Sequence, residues 1–203
     1  MLYRILLNIN AEIYQPMKKY AFALVFAVLA STLALPGLAK STPAASLKVV
    51  IIRHGEKPDD GNNLSCQGEN RALNLPAVLY GKFNTPDYTY VPSLEIGKAT
   101  KHARMFQTVS PFAIAYNLKV NTQFDEKDTA GIAKEVLKKT GTVLLVWEHS
   151  VIPEIAKNLK VDSPPKWEGS DFDSIWIITY DDKGNATLTQ DQEGLQPSEN
   201  CGF

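Results

Sequence analysis

Leu47-Lys48-Val49-Val50-Ile51-Ile52-Arg53-His54-Gly55 is the stretch that decides how this chain folds. Leu47 to Ile52 is nearly continuous apolar and β-branched, which suits a strand covered on both faces, as in a parallel sheet, better than a half-exposed one. The run stops at a guanidinium, an imidazole and a glycine. Thr142 to Trp147 repeats the plan, a second apolar strand ending at Glu148-His149. Helical spacing is found in four other stretches. These are Gly68 to Phe83, with Ala72, Leu75, Val78 and Leu79 in register; Met105 to Asn117, with Phe106, Val109, Ile114 and Ala115; Thr129 to Lys139, with Ile132, Ala133, Val136 and Leu137; and Pro153 to Leu159, which starts with proline in its first turn. Pro76 and Pro111 lie inside two of these patterns and are expected to kink or split them. Short strands are expected at Tyr88 to Val91 and Lys119 to Phe124. Phe172 to Tyr180 and Asn185 to Thr189, joined through Asp181-Asp182-Lys183-Gly184, predict a hairpin. Strands alternating with helices predict an α/β domain: a three-layer sandwich whose mostly parallel central sheet is flanked by helices and closed by a C-terminal antiparallel hairpin.

The whole chain has 203 residues, enough for one domain and a short appendage. Its composition, 44% apolar and 21% charged, excludes a disordered tail or a collagen-like fibre. A net charge of -1 provides no basic field for nucleic acid or an anionic membrane, so the expected partner is a small molecule. Residues 1–39 do not read as part of the fold. Lys18 and Lys19 precede an apolar run from Tyr20 to Ala30, resumed at Leu33 to Leu35 and ended by Pro36-Gly37-Leu38-Ala39. These are the parts of a secretory signal peptide with cleavage after Ala39, and Met17 is an alternative start. A retained anchor is the weaker reading, because a bilayer needs about 20 apolar residues. Residues 40–46 are expected to be a flexible leader and residues 47–203 the domain, in the periplasm or secreted, with no membrane contact after cleavage. In an exported chain the two cysteines, Cys66 and Cys201, are a disulfide candidate.

In open α/β sheets ligands bind outside the carboxyl ends of the strands. Two of the three histidines, His54 and His149, stand at such ends. If their strands are neighbours, the imidazoles face one pocket. Arg53 follows an apolar run, where a guanidinium is costly without an anion. It is either an internal ion pair or a bidentate phosphate clamp, and the adjacent His54 and Gly55 favour the clamp. A metal is the weaker reading, because no clear third ligand is present and Arg53 opposes a cation.

Arg53-His54-Gly55-Glu56-Lys57 resembles the signature of the histidine phosphatase superfamily, which includes cofactor-dependent phosphoglycerate mutases and many small phosphatases. The resemblance extends through Leu64-Ser65, Gly68 and Arg71-Ala72, then Arg104-Met105-Phe106-Gln107-Thr108, then His149-Ser150 with Ile152-Pro153. It implies a phosphoglycerate mutase-like fold and an exported phosphatase acting on a phosphomonoester or phosphoanhydride. His54 would attack phosphorus, Arg53, Arg104 and His149 would stabilise the equatorial oxygens, and water would hydrolyse the phosphohistidine. No metal or organic cofactor is implied. The alternatives are a phosphomutase of the same fold and a non-catalytic anion-binding module.

Many relatives carry a proton-donating acid between the second arginine and the second histidine. Asp125, Glu126 and Asp128 are the candidates here, with Glu126 slightly preferred, although acids also favour a solvated helix start. Glu148 is expected to point away from the pocket, because its neighbour His149 points into it. This chain departs from the pattern in two places. Lys101-His102-Ala103 precedes Arg104 where a hydroxyl residue is common, and Glu148 stands where glycine is common. His102 is expected on the surface, and Arg71 in a structural ion pair or solvated. Tyr88, Tyr90 and Trp167 are expected either to rim the substrate mouth or simply to pack. Residues 84–103 and 161–172, on which substrate choice depends, carry no motif.

Overall fold

The computed structural model describes Ala44 and residues 46–95 and 102–201. The expected signal peptide, the alternative start at Met17 and most of the expected leader lie outside those residues. In chain order the elements are β1 (Leu47–Arg53), α1 (Cys66–Phe83), β2 (Tyr88–Tyr90), α2 (Ala103–Tyr116), β3 (Val120–Asn121), α3 (Thr129–Val136), β4 (Gly141–Trp147), α4 (Ile152–Asn158), β5 (Ser174–Tyr180) and β6 (Ala186–Gln192). Among the described residues the six strands form one sheet in the order β3-β2-β4-β1-β5-β6. The first four in that order run parallel, and β5 and β6 close the sheet as an antiparallel hairpin beside β1.

Both apolar strands are covered on both sides, as their composition demands. Val49 and Ile51 of β1 pack with Val143, Leu145 and Trp147 of β4 against α3 and α4, through Ile132, Val136, Ile152 and Ile155. The alternate residues, Val50, Ile52, Leu144 and Val146, pack against α1 and α2, through Leu75, Leu79, Val109 and Phe112. Alternation along the strands thus divides the core into two layers. Burying one such side chain contributes about 1.5–3 kcal/mol, so the layers outweigh local defects in the helices that cover them.

The two internal prolines illustrate the point. Pro76 and Pro111 were expected to kink or split their helices; neither helix is split, and α1 and α2 each run through their proline as one element. The two helices together seal one face of the sheet, and that burial offsets the missing N–H. Caps set the ends locally: Ser65 Oγ accepts from Gly68 N–H at the start of α1, and Asp128 Oδ1 accepts from Gly131 N–H at the start of α3. The strand expected at Lys119 to Phe124 is reduced to two residues, because its partner β2 offers only Thr89 and Tyr90 for pairing.

Cys66 and Cys201 form a disulfide with a Cα–Cα distance of 4.8 Å across a sequence separation of 135 residues. The Asn70 amide donates to Ser198 O at 2.8 Å and Asn200 O at 2.9 Å, so the tail is held against α1 by more than sulfur. A cross-link over so long a loop restricts the unfolded chain, and Cys201→Ser is expected to remove about 2–4 kcal/mol of stability. Urea melts of the oxidised protein and the variant measure this; coincident midpoints would show that the bridge does not stabilise the fold.

Candidate active site

The parallel register of β1 and β4 ends at the pair Arg53↔Trp147. One residue further on, His54 and Glu148 stand side by side, and His54 N–H still donates to Trp147 O at 3.1 Å. His54 therefore leaves the sheet in step with its neighbour strand. Its backbone is gripped from three sides. Gly55 N–H donates to Thr108 Oγ1 of α2 at 2.9 Å, and that hydroxyl donates to Arg104 O at 2.7 Å. Ser65 N–H, at the cap of α1, donates to Glu56 O at 2.9 Å. Gly55 and Gly68 let α1 approach this closely: a Cβ on Gly55 would lie 2.8 Å from Gly68 O, and one on Gly68 would lie 2.2 Å from Glu56 O. Any larger residue at either position pushes the helix off the strand end.

His54 is fully buried. Its Nδ1 lies 2.6 Å from Gly55 O, and because a carbonyl only accepts, the ring proton sits on Nδ1 and Nε2 becomes the working nitrogen. Nε2 lies 2.9 Å from Glu148 Oε2. Glu148 also contacts His149 Nδ1 through its other oxygen. Burial alone would raise the Glu148 carboxyl, but the His54 hydrogen bond, aided by the charges of His54, His149 and Arg53, holds it down at about 2. With these partners in place it is held as a carboxylate in the resting site.

Arg53 is 1% exposed. Its Nη1 donates to Gly169 O at 2.9 Å and Asp171 O at 2.8 Å, its Nη2 donates to His149 Nδ1 at 3.1 Å, and its guanidinium carbon stands 3.7 Å from the centroid of the Phe172 ring. Burial pulls its pKa down to about 10, against the opposing charges of Glu148 and Asp171. Its Nε–H is buried with no acceptor among the described residues. A buried donor left over in this way suits a visiting oxyanion. Burial, and then the charge of Arg53, also lowers the pKa of His149.

Of the residues singled out from the sequence, the structure brings Arg53, His54 and His149 together. It also corrects one expectation: Glu148 does not point away but stands against His54 Nε2 and His149. The alternation that argued otherwise holds inside a sheet, whereas past the strand end His149 and Glu148 turn toward the same point. Arg104 is directed elsewhere, donating to Gly61 O at 2.6 Å and Asn63 O at 3.3 Å. Glu126 Oε2 lies 2.6 Å from His102 Nδ1, so His102 is half-buried in an ion pair and not a free surface group. Asp125 Oδ1 accepts from Lys127 N–H, and Asp128 caps α3. Among the described residues no hydrogen bond or ion pair joins Asp125, Glu126 or Asp128 to His54, Arg53 or His149. Tyr90 and Trp167 are buried in the core, the latter with its ring centroid 5.0 Å from that of Trp176, which is packing and not a substrate rim. Tyr88 is partly exposed on the same short strand as Tyr90.

The loop from Gly169 to Phe172 escaped sequence reasoning. It contributes two backbone carbonyls and one ring face to Arg53, and carbonyls carry no residue signature. Phe172, expected from the sequence to open the hairpin, lies before β5, which starts at Ser174.

No protein-family model and no curated protein sequence matches the chain. Solved structures do. The protein histidine phosphatase SixA complexed with tungstate superposes with a TM-score of 0.54 at 18% identity, over 72% of this chain and 97% of that one. A mycobacterial glucosyl-3-phosphoglycerate phosphatase with inorganic phosphate gives 0.52 at 14% identity, over 71% and 95%. A phosphoserine phosphatase mutant from Entamoeba histolytica in complex with phosphoserine gives 0.51 at 15% identity, over 73% and 97%. With its parallel strands, its flanking helices and its terminal hairpin, this chain has the fold of the histidine phosphatase superfamily.

Proposed function

We propose that the chain is an exported, metal-independent phosphatase that hydrolyses a phosphomonoester or phosphoanhydride through a phosphohistidine on His54 Nε2. The observation that carries this reading is the convergence of a buried imidazole, a buried guanidinium with an unpartnered N–H and a second imidazole at the ends of two adjacent parallel strands. The hydrogen bond to Gly55 O occupies Nδ1 and leaves Nε2 as the nitrogen directed into the site. Phosphoryl transfer asks a protein mainly for positioning and for charge placed around the equatorial oxygens. Arg53 and His149 supply that charge, and His149 gains its proton as the anion arrives. Arg104 would join them by releasing the carbonyls of Gly61 and Asn63. Structures of this fold that hold tungstate, inorganic phosphate and phosphoserine support an oxyanion as the ligand. The bridge between Cys66 and Cys201 supports an oxidising compartment. No described helix is long and apolar enough to cross a membrane.

Glu148 favours a second reading, because its carboxylate occupies the attacking face of His54. On that reading the domain binds an anion without turning it over. Assay of the purified protein with p-nitrophenyl phosphate in excess EDTA separates the two. Steady turnover is expected, with inorganic phosphate as a competitive inhibitor. Phosphate binding without turnover of any phosphate ester would establish the binding module instead.

A further inference from the structure

Hydrolysis of an ester through His54 needs a group to protonate the leaving oxygen, and the loop carrying Asp125, Glu126 and Asp128 does not supply one in this geometry. Glu126 is engaged by His102, and Asp128 by the cap of α3. Glu148 is different. Its Oε2 lies 2.9 Å from the nitrogen that attacks, its side chain is 19% exposed, and its other oxygen rests on His149. Since the Nδ1–H of His54 is committed to a hydrogen bond with Gly55 O, the contact between Nε2 and Oε2 requires a further proton, which the two groups share.

Resting on the phosphatase reading, we infer that Glu148 is the acid–base residue of the site, donating a proton to the leaving oxygen and then accepting one from the attacking water. The sharing supplies the proton in the right place. A phosphoryl group approaching to about 3–3.5 Å of Nε2 must displace the carboxylate, which stands closer still, at 2.9 Å. As it turns aside, Glu148 takes the shared proton, and His54 is left neutral with its lone pair on Nε2. Nε2 then bonds to phosphorus while the bond from phosphorus to the leaving oxygen breaks, and that oxygen takes the proton from Glu148. In the second step a water oxygen bonds to phosphorus, its proton passes to the Glu148 carboxylate, and the bond between phosphorus and Nε2 breaks. Phosphate leaves, and the proton returns to the shared position between His54 and Glu148. The facing charged groups are Arg53 and His149, which remain on the phosphoryl oxygens throughout.

The role is tested with three aryl phosphates whose phenols are progressively weaker acids: 2,4-dinitrophenyl, p-nitrophenyl and phenyl phosphate. A good leaving group departs without a proton, whereas phenol does not. Glu148→Gln is expected to change kcat/KM for the dinitrophenyl ester by less than about threefold and to lower it for phenyl phosphate by about 100-fold, with partial recovery in Glu148→Asp. Equal losses of kcat/KM on all three esters would make Glu148 a positioning residue and overturn the inference. Gains on all three, with tighter binding of inorganic phosphate, would overturn it in favour of a carboxylate that merely competes with substrate. If the wild-type protein hydrolyses none of the three, the phosphatase reading itself fails, and the role of Glu148 fails with it.

Discussion

Replacing His54 by alanine is expected to lower turnover of p-nitrophenyl phosphate by at least about 1,000-fold and to abolish the acid-labile phosphoryl label on the protein. The size follows from the role: a covalent route that loses its nucleophile retains only what the surrounding charges offer to water. Those charges survive the substitution. Arg53 keeps its contacts to Gly169, Asp171 and Phe172, and His149 keeps its place on Arg53. Tungstate or phosphate should therefore still bind the variant within about tenfold of wild type. The ring of His54 fills a fully buried position, so His54→Gln, which leaves a smaller void, is the companion variant, and thermal melts check that both fold. Turnover within tenfold of wild type in either folded variant would place the nucleophile elsewhere.

Arg71→Ala is expected to cost about 3–5 kcal/mol, because it leaves buried carboxylates without their counter-charge. Arg71 is 4% exposed, and it donates to Glu56 at 2.8 Å, to Asp173 at 3.2 Å and to Glu193 at 2.5 Å. One guanidinium thus serves three acids. Burial pushes Glu193 up to about 8 even against the pull of Arg71, so the cluster already holds a proton. Without Arg71, Glu193 holds its proton to still higher pH. The unfolded chain releases that proton near pH 4, so above that point the folded state binds more protons, and the stability contribution of Glu193 is lost as pH rises through about 8. The Tm of the variant should lie roughly 10 °C below wild type near neutrality, with a smaller gap near pH 5. A gap of the same size at pH 5 and pH 8 would mean that lost packing, and not carboxylate repulsion, sets the cost.

The parts of this protein that were legible in its sequence share a physical cause. β1 and β4 are covered on both faces, so each had to be continuously apolar, and each had to end where the apolar run met Arg53-His54 or Glu148-His149. Their adjacency is what brings the two imidazoles together. The parts that were not legible depend on neighbours that the sequence does not name. That α1 and α2 are not split at Pro76 and Pro111 was not legible, because the cost of a proline is local, while the burial that outweighs it comes from the opposing sheet. The length of β3 depended on how many residues β2 offers. The direction of Glu148 depended on the chain leaving the pleat one residue after Trp147. Arg71 needed three partners, two of them more than 100 residues away, before its ion-pair reading could be separated from a solvated one.

The strand order carries a kinetic consequence. β1 is made first, yet it pairs with neither β2 nor β3; its two neighbours begin at Gly141 and Ser174. For most of synthesis, the most apolar segment of the domain has nothing to pair with, and the sheet's centre closes only when β4 and β5 are finished. Long-range closure of this kind makes folding slow and keeps a sticky strand exposed meanwhile. The nascent chain therefore has a long interval in which it can be held unfolded, and in which a holdase that shields Leu47 to Ile52 would raise its yield.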